Sequence, residues 1–447
     1  ATKTEPAIIA VGDGYVLTAA DKAHFTSNSG SYRVKYDGAN SRMLLVSTEH
    51  VAHPICGASC VGGTHAEEAY WRGVSDLSAI NVPGNYYLTK DIELTDTWNP
   101  GYGVVLCLNG HSITSKAYNT IKVKANCSLT LTDCNRSGAG NGKLKHAVDP
   151  NNSAYFVSGN AVYVAKDGVF VLYGGTITEN EVLYNGNPGG AVSVDKGGSF
   201  QMHGGSITGN RIRFGLGGVV YVAGDFVMTG GEIAGNQAVR TESAGKNTYD
   251  KNLAYGGGVY VAQSGTMTVS SNVKIAQNER IVIDNATNYN ILSRATGNVY
   301  LTDGSTITVG GALTGGAGSI GVTVATPPVD KSTVTVAAGS GYTLTDTDAA
   351  AFAADAGSDY RVQPSGNTLE LAVKVHKHYL CGGSDCTCPE GHSETDPVKF
   401  EAWDSDSSLP TKAGNYYLTK NVSLTDTWEP KGGTVLCLNG HSITMNG

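Results

Sequence analysis

A repeat of about twenty residues occupies the middle of the chain and constrains its fold more than any other feature. Five copies can be aligned, the last more loosely than the others, and the second reads GAVSVDKGGSFQMHGGSITGN from Gly190 to Asn210. Each copy holds three short runs of strand-forming residues separated by Gly, Asp-Gly or Gly-Gly, which is the pattern of short strands joined by tight turns. A fixed period of this kind is typical of repeat architectures.

Apolar residues keep the same phase in every copy. Because side chains alternate between the two faces of a strand, the inward positions can be assigned. The second strand has two inward sets: Phe170, Phe200, Phe226, Met267 and Ile307, and two residues later Leu172, Met202, Met228, Val269 and Val309. The third strand has one inward set: Ile177, Ile207, Ile233 and Ile275. A single repeat cannot bury this stripe, whereas stacking on the next repeat covers it. We therefore predict an all-β fold, a parallel β-helix or solenoid, with Phe170, Phe200 and Phe226 stacked in its core.

An asparagine recurs three residues after the inward isoleucine of the third strand. The four positions are Asn180, Asn210, Asn236 and Asn278. The amide of one asparagine can bond to the next, and asparagine tolerates the αL backbone conformation. An antiparallel sandwich would not need one residue type at one phase of every repeat. We predict a ladder of stacked asparagines in αL corners.

A larger repeat encloses the short one. The stretch Gly84–Thr114 and the stretch Gly414–Thr444 are identical at 24 of 31 positions. The chain is therefore expected to hold the tail of one unit, one whole unit and the head of a third. We predict the end of a preceding unit at 1–50, a Cys/His knuckle linker at 51–83, the parallel β-helix at 84–327, a β-rich end cap at 328–375, a second Cys/His knuckle linker at 376–413 and the truncated start of the next β-helix unit at 414–447.

Composition excludes two classes of partner. The net charge is −8 and basic residues form no stripe, which argues against a nucleic-acid partner. No run of apolar residues is long enough for a membrane span, so no membrane insertion is expected.

The repeats resemble those of a known group of proteins. The pattern GGxVYV…GxFxMxGGxIxGN is similar to the right-handed parallel β-helix repeats of bacterial surface proteins and polymorphic outer-membrane adhesins. The segments LCLNGHSIT…LTLTDC and GSIGVTV resemble large cell-surface proteins of gut Firmicutes. The resemblance implies a right-handed helix in an extracellular protein at the bacterial cell surface. It also implies an adhesive or structural stalk of units joined head to tail, whose partners would be host or microbial glycans or surface proteins.

Two Cys/His clusters are candidate metal sites. They comprise His53, Cys56, Cys60 and His65 in the first linker, and His378, Cys381, Cys386 and His392 in the second. Thiolates and imidazoles on a tight loop can converge tetrahedrally on structural zinc, and four protein ligands leave no open position for catalysis. Disulfides Cys56–Cys60 and Cys381–Cys386, or free thiols, are the alternatives that the sequence leaves open.

Three further cysteines lie near the start of the predicted helix. Cys107 and Cys127 are twenty residues apart, about one repeat, so we expect them to stack as buried free thiols. A disulfide among Cys107, Cys127 and Cys134 is the alternative.

A stripe on the outer face is the candidate ligand-binding site. In the first strand the valines point inward, so the residues between them are expected to point outward: Tyr163, Ser193, Tyr221, Tyr260 and Tyr300. Two long insertions beside this stripe carry Arg240, Tyr249, Tyr255 and Tyr289. Exposed aromatic rings suit sugars, so we predict glycan binding here by Tyr221, Tyr260, Tyr300 and the four insertion residues. A tyrosine ladder that only stiffens the sheet is the alternative.

A carbohydrate-active enzyme is the competing functional class. Glycosidases need two facing carboxylates, and lyases need acidic calcium ligands with a basic residue. The repeats offer Asp167, Asp195, Asp225 and Asp303 near turn glycines, where Asp is a turn former, and Glu179 and Glu232, which we expect to be isolated. No catalytic residue is therefore predicted. A polysaccharide lyase or glycosidase and a passive spacer or filament subunit remain the alternatives to an adhesive stalk.

The zinc hypothesis has a direct test. We expect the purified protein to carry up to one zinc ion per Cys/His cluster, and His53→Ala to lower the metal content, because the variant removes one of four ligands. Elemental analysis measures the content. A metal-free protein whose mass is lower by two hydrogens per cysteine pair would instead support the disulfides.

Overall fold

The computed structural model of the protein describes residues 7–12, 14–26, 32–47, 71–134, 142–149, 152–156, 158–183, 189–214, 217–241, 254–284, 290–329, 332–355, 360–373 and 400–446. Strands dominate these ranges, which contain one α-helix, Asp346–Ala351, and 3₁₀ turns at Ala20–His24, Gly38–Asn40 and Leu77–Ala79. The chain divides into a first unit, Ala1–Gly357 with Arg361–Ala372, and a second, Ser358–Tyr360 with Val373–Gly447. No helix in the described ranges is long and apolar enough to cross a membrane.

The first strands of the repeats pair with one another in parallel. This first-strand ladder comprises Asn119–Val123, Asn160–Val164, Val192–Val194, Gly217–Val222, Ala254–Val261, Val299–Leu301, Ile320–Val324 and Phe352–Ala354. Apolar residues line the inner face of this ladder, and its middle steps pair valine with valine: Val162, Val192, Val220, Val259 and Val299.

The second strands form a longer parallel ladder. It comprises Trp71–Val74, Gly84–Leu88, Val104–Cys107, Ser128–Thr132, Val169–Leu172, Ser199–Met202, Asp225–Ala234, Thr266–Ala276, Ile307–Leu313 and Thr333–Gly339. Thr368–Val373 pairs antiparallel with the last of these strands, and Tyr360–Ser365 belongs to the same sheet.

The third strands complete the large sheet. This third-strand ladder comprises Ile92–Leu94, Ile113–Ser115, Lys143–His146, Thr176–Ile177 and Ser206–Thr208, and continues into the ends of Asp225–Ala234 and Thr266–Ala276. Those two long strands join the second and third ladders, and Ile320–Val324 of the first ladder also pairs with Thr266–Ala276. All three ladders therefore belong to one 25-stranded, predominantly parallel sheet.

The predicted core is confirmed. All fourteen inward residues assigned from the repeat phase are 0% exposed. Phe170 pairs in register with Phe200, and Phe200 with Phe226. Their ring centroids are 5.1 and 4.9 Å apart, with interplanar angles of 16° and 10°.

Four of the five repeats also contain a fourth strand, so the expectation of three strands per repeat was incomplete. The residues after the corner asparagine form a separate parallel sheet of Glu181–Leu183, Arg211–Arg213, Gln237–Thr241 and Glu279–Ile283. Ile291–Thr296 closes this fourth sheet by antiparallel pairing with Glu279–Ile283. The prediction missed these strands because it treated them as loop insertions of variable length.

The asparagine ladder is confirmed. Asn180 Nδ2 donates to Asn210 Oδ1 at 2.9 Å, Asn210 to Asn236 at 3.0 Å, and Asn236 to Asn278 at 2.9 Å. Asn278 continues the series to Asn298 at 3.0 Å.

The predicted αL conformation of these asparagines was wrong. Positive φ falls on the residue just before each one: 55° at Glu179, 65° at Gly209 and Gly235, and 61° at Gln277. The residue before each asparagine adopts the turn conformation, and the asparagine side chain forms the hydrogen bond to the asparagine of the next repeat.

Four smaller sheets complete the described structure. Ala7–Val11, Tyr32–Asp37 and Arg42–Ser47 form an antiparallel sheet, and Val148–Asp149 pairs with Asn152–Phe156. In the second unit, Glu401–Trp403, Asn415–Leu418 and Val435–Cys437 pair in parallel, as do Val422–Leu424 and Ile443–Met445.

The larger repeat also covers GYVLTAAD from Gly14 and GYTLTDTD from Gly341, and these two segments share local structure. Asp21 accepts the backbone N–H of Thr18 at 2.7 Å, and Asp348 accepts that of Thr345 at 2.8 Å. The matched sequences therefore form the same aspartate-stabilised turn.

The phenylalanine stack gives a stability prediction. Phe200→Ala should lower the free energy of unfolding by about 3–5 kcal/mol, because it removes a fully buried ring between two others and leaves a cavity. Urea denaturation measures the loss. Tyr102→Ala is the control, since Tyr102 is 70% exposed. Equal losses in the two variants would contradict a stacked core.

Candidate functional site

The predicted outer stripe lies on the first-strand ladder. Parallel pairing places Tyr163 opposite Ser193, Ser193 opposite Tyr221, Tyr221 opposite Tyr260, and Tyr260 opposite Tyr300. Alternation along each strand puts these side chains on the face opposite the buried valines.

The tyrosine rings stack on one another. Tyr221 and Tyr260 have centroids 5.8 Å apart with an interplanar angle of 12°, and Tyr260 and Tyr300 are 5.4 Å apart at 8°. Tyr255 stacks on Tyr300 at 4.8 Å and 11°. Both faces of the Tyr260 ring are therefore covered by other tyrosines, and its edge and hydroxyl are the groups left to meet a ligand.

Arg240 joins this stack from the fourth sheet. Its guanidinium carbon lies 5.9 Å from the centroid of the Tyr255 ring, within the range of a cation–π contact. The structure thus brings together Arg240, Tyr255, Tyr300, Tyr260 and Tyr221, five of the seven predicted ligand-binding residues. The other two, Tyr249 and Tyr289, lie outside the described residues.

Burial changes the chemistry of these phenols. Tyr300 is only 8% exposed. Burial, reinforced by Tyr255 and Tyr260, raises the pKa of Tyr300 to about 12. Burial also raises the pKa of Tyr221 and of Tyr260. These hydroxyl groups therefore stay neutral to higher pH than a free phenol, and a neutral phenol both donates and accepts hydrogen bonds.

Arg280 is a member of this surface that the sequence did not point to. It lies on the fourth sheet one residue after Glu279, and its charge interacts with Tyr255, Tyr300 and Asp355. Burial lowers the pKa of its guanidinium. The sequence could have pointed to Arg280 only if the residues after Asn278 had been predicted to form a strand.

A second polar group lies at the other end of the stripe. The Tyr163 hydroxyl donates to Asp195, and Lys122 Nζ lies 5.2 Å from the centroid of the Tyr163 ring. Burial, with Asp195, raises the pKa of Tyr163 to about 12. Ser193, between Tyr163 and Tyr221, is 1% exposed.

Glu181 was also missed by the sequence reasoning. This carboxylate is 1% exposed, pairs with Arg213, and accepts the N–H of Phe156 at 3.1 Å. Arg211 lies 3.9 Å from it. These groups border a cleft of about 190 Å³ lined by Phe156, Asn180, Glu181, Asn210, Arg211 and Gln237.

Several carboxylates considered for catalysis have structural partners. Glu179 pairs with Lys145 at 2.8 Å and Glu232 with Lys274 at 2.6 Å, so each carboxylate is held by a basic side chain. Asp225 accepts a hydrogen bond from Thr266 at 2.7 Å. Asp167 has a positive φ of 60°, as expected for a turn former.

The predicted metal ligands His53, Cys56, Cys60, His65, His378, Cys381, Cys386 and His392 lie outside the described residues. Within the described ranges, no group of three or more His, Cys, Asp or Glu side chains is arranged to hold a metal ion. The zinc and disulfide hypotheses for the linkers both stand as predictions.

The expected stacking of Cys107 on Cys127 was wrong. Thr132 is the register partner of Cys107, and the neighbouring thiol is that of Cys134. Cys127 instead lies in the turn before Ser128–Thr132 and is half-buried. The spacing of twenty residues failed because the step between these two strands is longer than one short repeat.

Comparisons with protein-family models, curated proteins and solved structures return no match for this chain.

The buried phenols predict a loss of stability at alkaline pH. An unfolded tyrosine has a pKa of about 10, whereas Tyr163 and Tyr300 have a pKa of about 12 in the fold. The unfolded chain therefore loses these protons first, so their stabilising contribution is intact below pH 10 and is lost between pH 10 and 12. Denaturation at a series of pH values measures the slope, which should be shallower in Tyr300→Phe.

The control for this experiment is Tyr102→Phe, at a 70% exposed position. An absorbance titration in which every phenol ionises together near pH 10 would contradict the assignment.

Proposed function

We propose that the chain is part of an extracellular bacterial surface protein and forms a right-handed parallel β-solenoid that acts as an adhesive or structural stalk. One observation carries this proposal: in several successive repeats, equivalent residues contact one another. Phenylalanine rings stack on phenylalanine rings, tyrosine rings stack on tyrosine rings, and asparagine amides donate hydrogen bonds to asparagine amides. Such contacts extend a molecule along one axis, which suits a stalk.

A general preference supports the right-handed winding that the resemblance implies. Connections between parallel strands of one sheet are right-handed in about 98% of cases. The second unit carries the same opening motif as the first, from Gly414, so we propose that units follow one another head to tail, joined by the Cys/His linkers.

The ligand surface would be the edge of the tyrosine stack beside Arg240. Because ring faces are covered by neighbouring rings, a sugar would be bound through hydrogen bonds from its hydroxyls to the phenols and the guanidinium. Glycans fit this chemistry because they offer many hydroxyls at regular spacing.

A passive spacer is the second candidate, and the stacked rings favour it. Aromatic pairs across neighbouring strands stabilise a sheet without any ligand. Support for a lyase or glycosidase is weaker, because Glu179, Glu181 and Glu232 are each held by a basic side chain.

Two measurements test the stalk and the glycan surface separately. Small-angle scattering on a tandem of two units should give an elongated particle whose length grows with the number of units, and a compact particle would contradict the stalk. A glycan array with the whole chain should identify ligands that Arg240→Ala binds about tenfold more weakly, as expected for a lost hydrogen bond to a charged group.

Arg294→Ala is the matched control, since Arg294 lies on the same fourth sheet and pairs with Glu279. Equal binding by the two variants would remove Arg240 from the site. An array without any ligand would favour the spacer, and release of reducing sugars would favour the enzyme.

A further inference from the structure

We propose that Cys107 and Cys134 form a disulfide bond under oxidising conditions and so cross-link two adjacent strands of the second-strand ladder. This inference rests on the geometry at one end of the parallel sheet and is independent of any ligand.

The two cysteines are neighbours across a strand pair. Val104–Cys107 pairs in parallel with Ser128–Thr132, and Thr132 is the partner of Cys107. Cys134 follows two residues later, and its backbone N–H points at Cys107 Sγ from 3.3 Å. Because an N–Cα bond is about 1.46 Å long, the Cys134 Cα lies within about 4.8 Å of that sulfur. This Cα-to-sulfur distance is short enough for rotation about the Cα–Cβ bond of Cys134 to bring its own sulfur against Cys107 Sγ.

The Cys134 thiol is directed at the same turn. It donates to Asn109 Oδ1 at 3.4 Å, and Asn109 lies two residues after Cys107. A contact between the two thiols, together with burial, raises the pKa of Cys107. The two sulfur atoms are therefore close to each other beside the turn that follows Cys107.

Asp133 fixes the backbone around this pair. Its two oxygens accept the N–H groups of Gly110 at 2.8 Å and Gly142 at 2.7 Å. The turn after Cys107 and the segment that carries Cys134 are thereby held together, so a disulfide would need rotation of side chains and little movement of backbone.

The surroundings would protect such a bond. Cys107 is 0% and Cys134 is 4% exposed, and they form a cluster with Trp71. Tyr87 and Val105 pack against the cluster. A reductant in solution could not reach sulfurs at this depth, whereas Cys127, which is half-buried, is accessible.

The chemistry needs a disulfide as oxidant. The thiolate of one cysteine attacks a low-molecular-weight disulfide such as oxidised glutathione and expels one thiolate of that molecule. The second cysteine then attacks the mixed disulfide and expels the other. Two protein thiols lose two protons and two electrons, and the oxidant leaves as two thiols. Because burial raises the pKa of Cys107, we expect the exchange to occur during folding, before the cluster closes.

Peptide mapping tests the proposal on the full chain. The protein is produced in an oxidising compartment, unfolded, alkylated without reductant and digested with trypsin. Lys116, Lys122 and Lys124 separate the two cysteines, so a disulfide appears as a linked pair of peptides that reductant splits. Cys127 and Cys134 share the tryptic peptide that ends at Arg136, so fragmentation of the linked pair shows which of the two is joined to Cys107. Alkylated Cys107 and Cys134 in the unreduced sample, or a link from Cys107 to Cys127, would overturn the proposal.

Variants give a second readout. Cys107→Ser should make Cys134 fully alkylatable and lower Tm by on the order of 5 °C in the oxidised protein. Most of that difference should disappear when both proteins are reduced while unfolded and then refolded in reductant. Cys127→Ser should leave the linked peptides in place. If Cys107→Ser does not fold, the wild-type peptide map alone decides the outcome. A Tm difference that persists unchanged in reductant would show that the serine perturbs packing only.

Discussion

Hydrogen bonding between parallel strands in register is the constraint on which the rest of this structure depends. Paired strands lie about 4.8 Å apart, so an equivalent residue in the next repeat falls at that spacing. Aromatic rings stack well at this distance, and the Phe170–Phe200 and Phe200–Phe226 centroids are 5.1 and 4.9 Å apart. A change of register by one residue would turn every inward side chain outward.

The asparagine ladder shows how a polar row can run through such a stack. Each amide gives its N–H to the next oxygen, so all donors point the same way. Asp355 terminates the row, and its two oxygens accept the N–H and the Nδ2 of Asn298, each at 2.7 Å. A carboxylate suits this position because it only accepts. Burial raises the pKa of Asp355, and the bonds from Asn298 oppose that shift. At the other end, His146 Nδ1 lies 2.8 Å from Asn180 Oδ1.

Stacking also limits what the outer surface can do. The regularity that buries Phe200 between two rings places Tyr260 between two rings on the opposite face. A ring used in this way stabilises the sheet and has no free face for a sugar. Any recognition must then come from ring edges and from groups of a different sheet, such as Arg240 and Arg280, which lie where the repeat ceases to be regular.

The amino-acid sequence by itself determined the core, because the repeat phase assigns each inward residue and needs no knowledge of distant contacts. It also determined the asparagine ladder and the line of tyrosines. The tertiary structure alone decided the fourth strand, the pairing of Glu181 with Arg213 and the neighbour of Cys107. Each of these depends on the number of residues between equivalent strands of successive repeats. One identical segment makes the reason plain. In LCLNGHSIT, Leu108 and Ile113 are 0% exposed, whereas the matching Leu438 and Ile443 are 48% and 38% exposed. Leu108 and Ile113 are buried because a following repeat packs against them. The burial of a residue in a stacked sheet therefore depends on the neighbouring repeat as well as on the residue type.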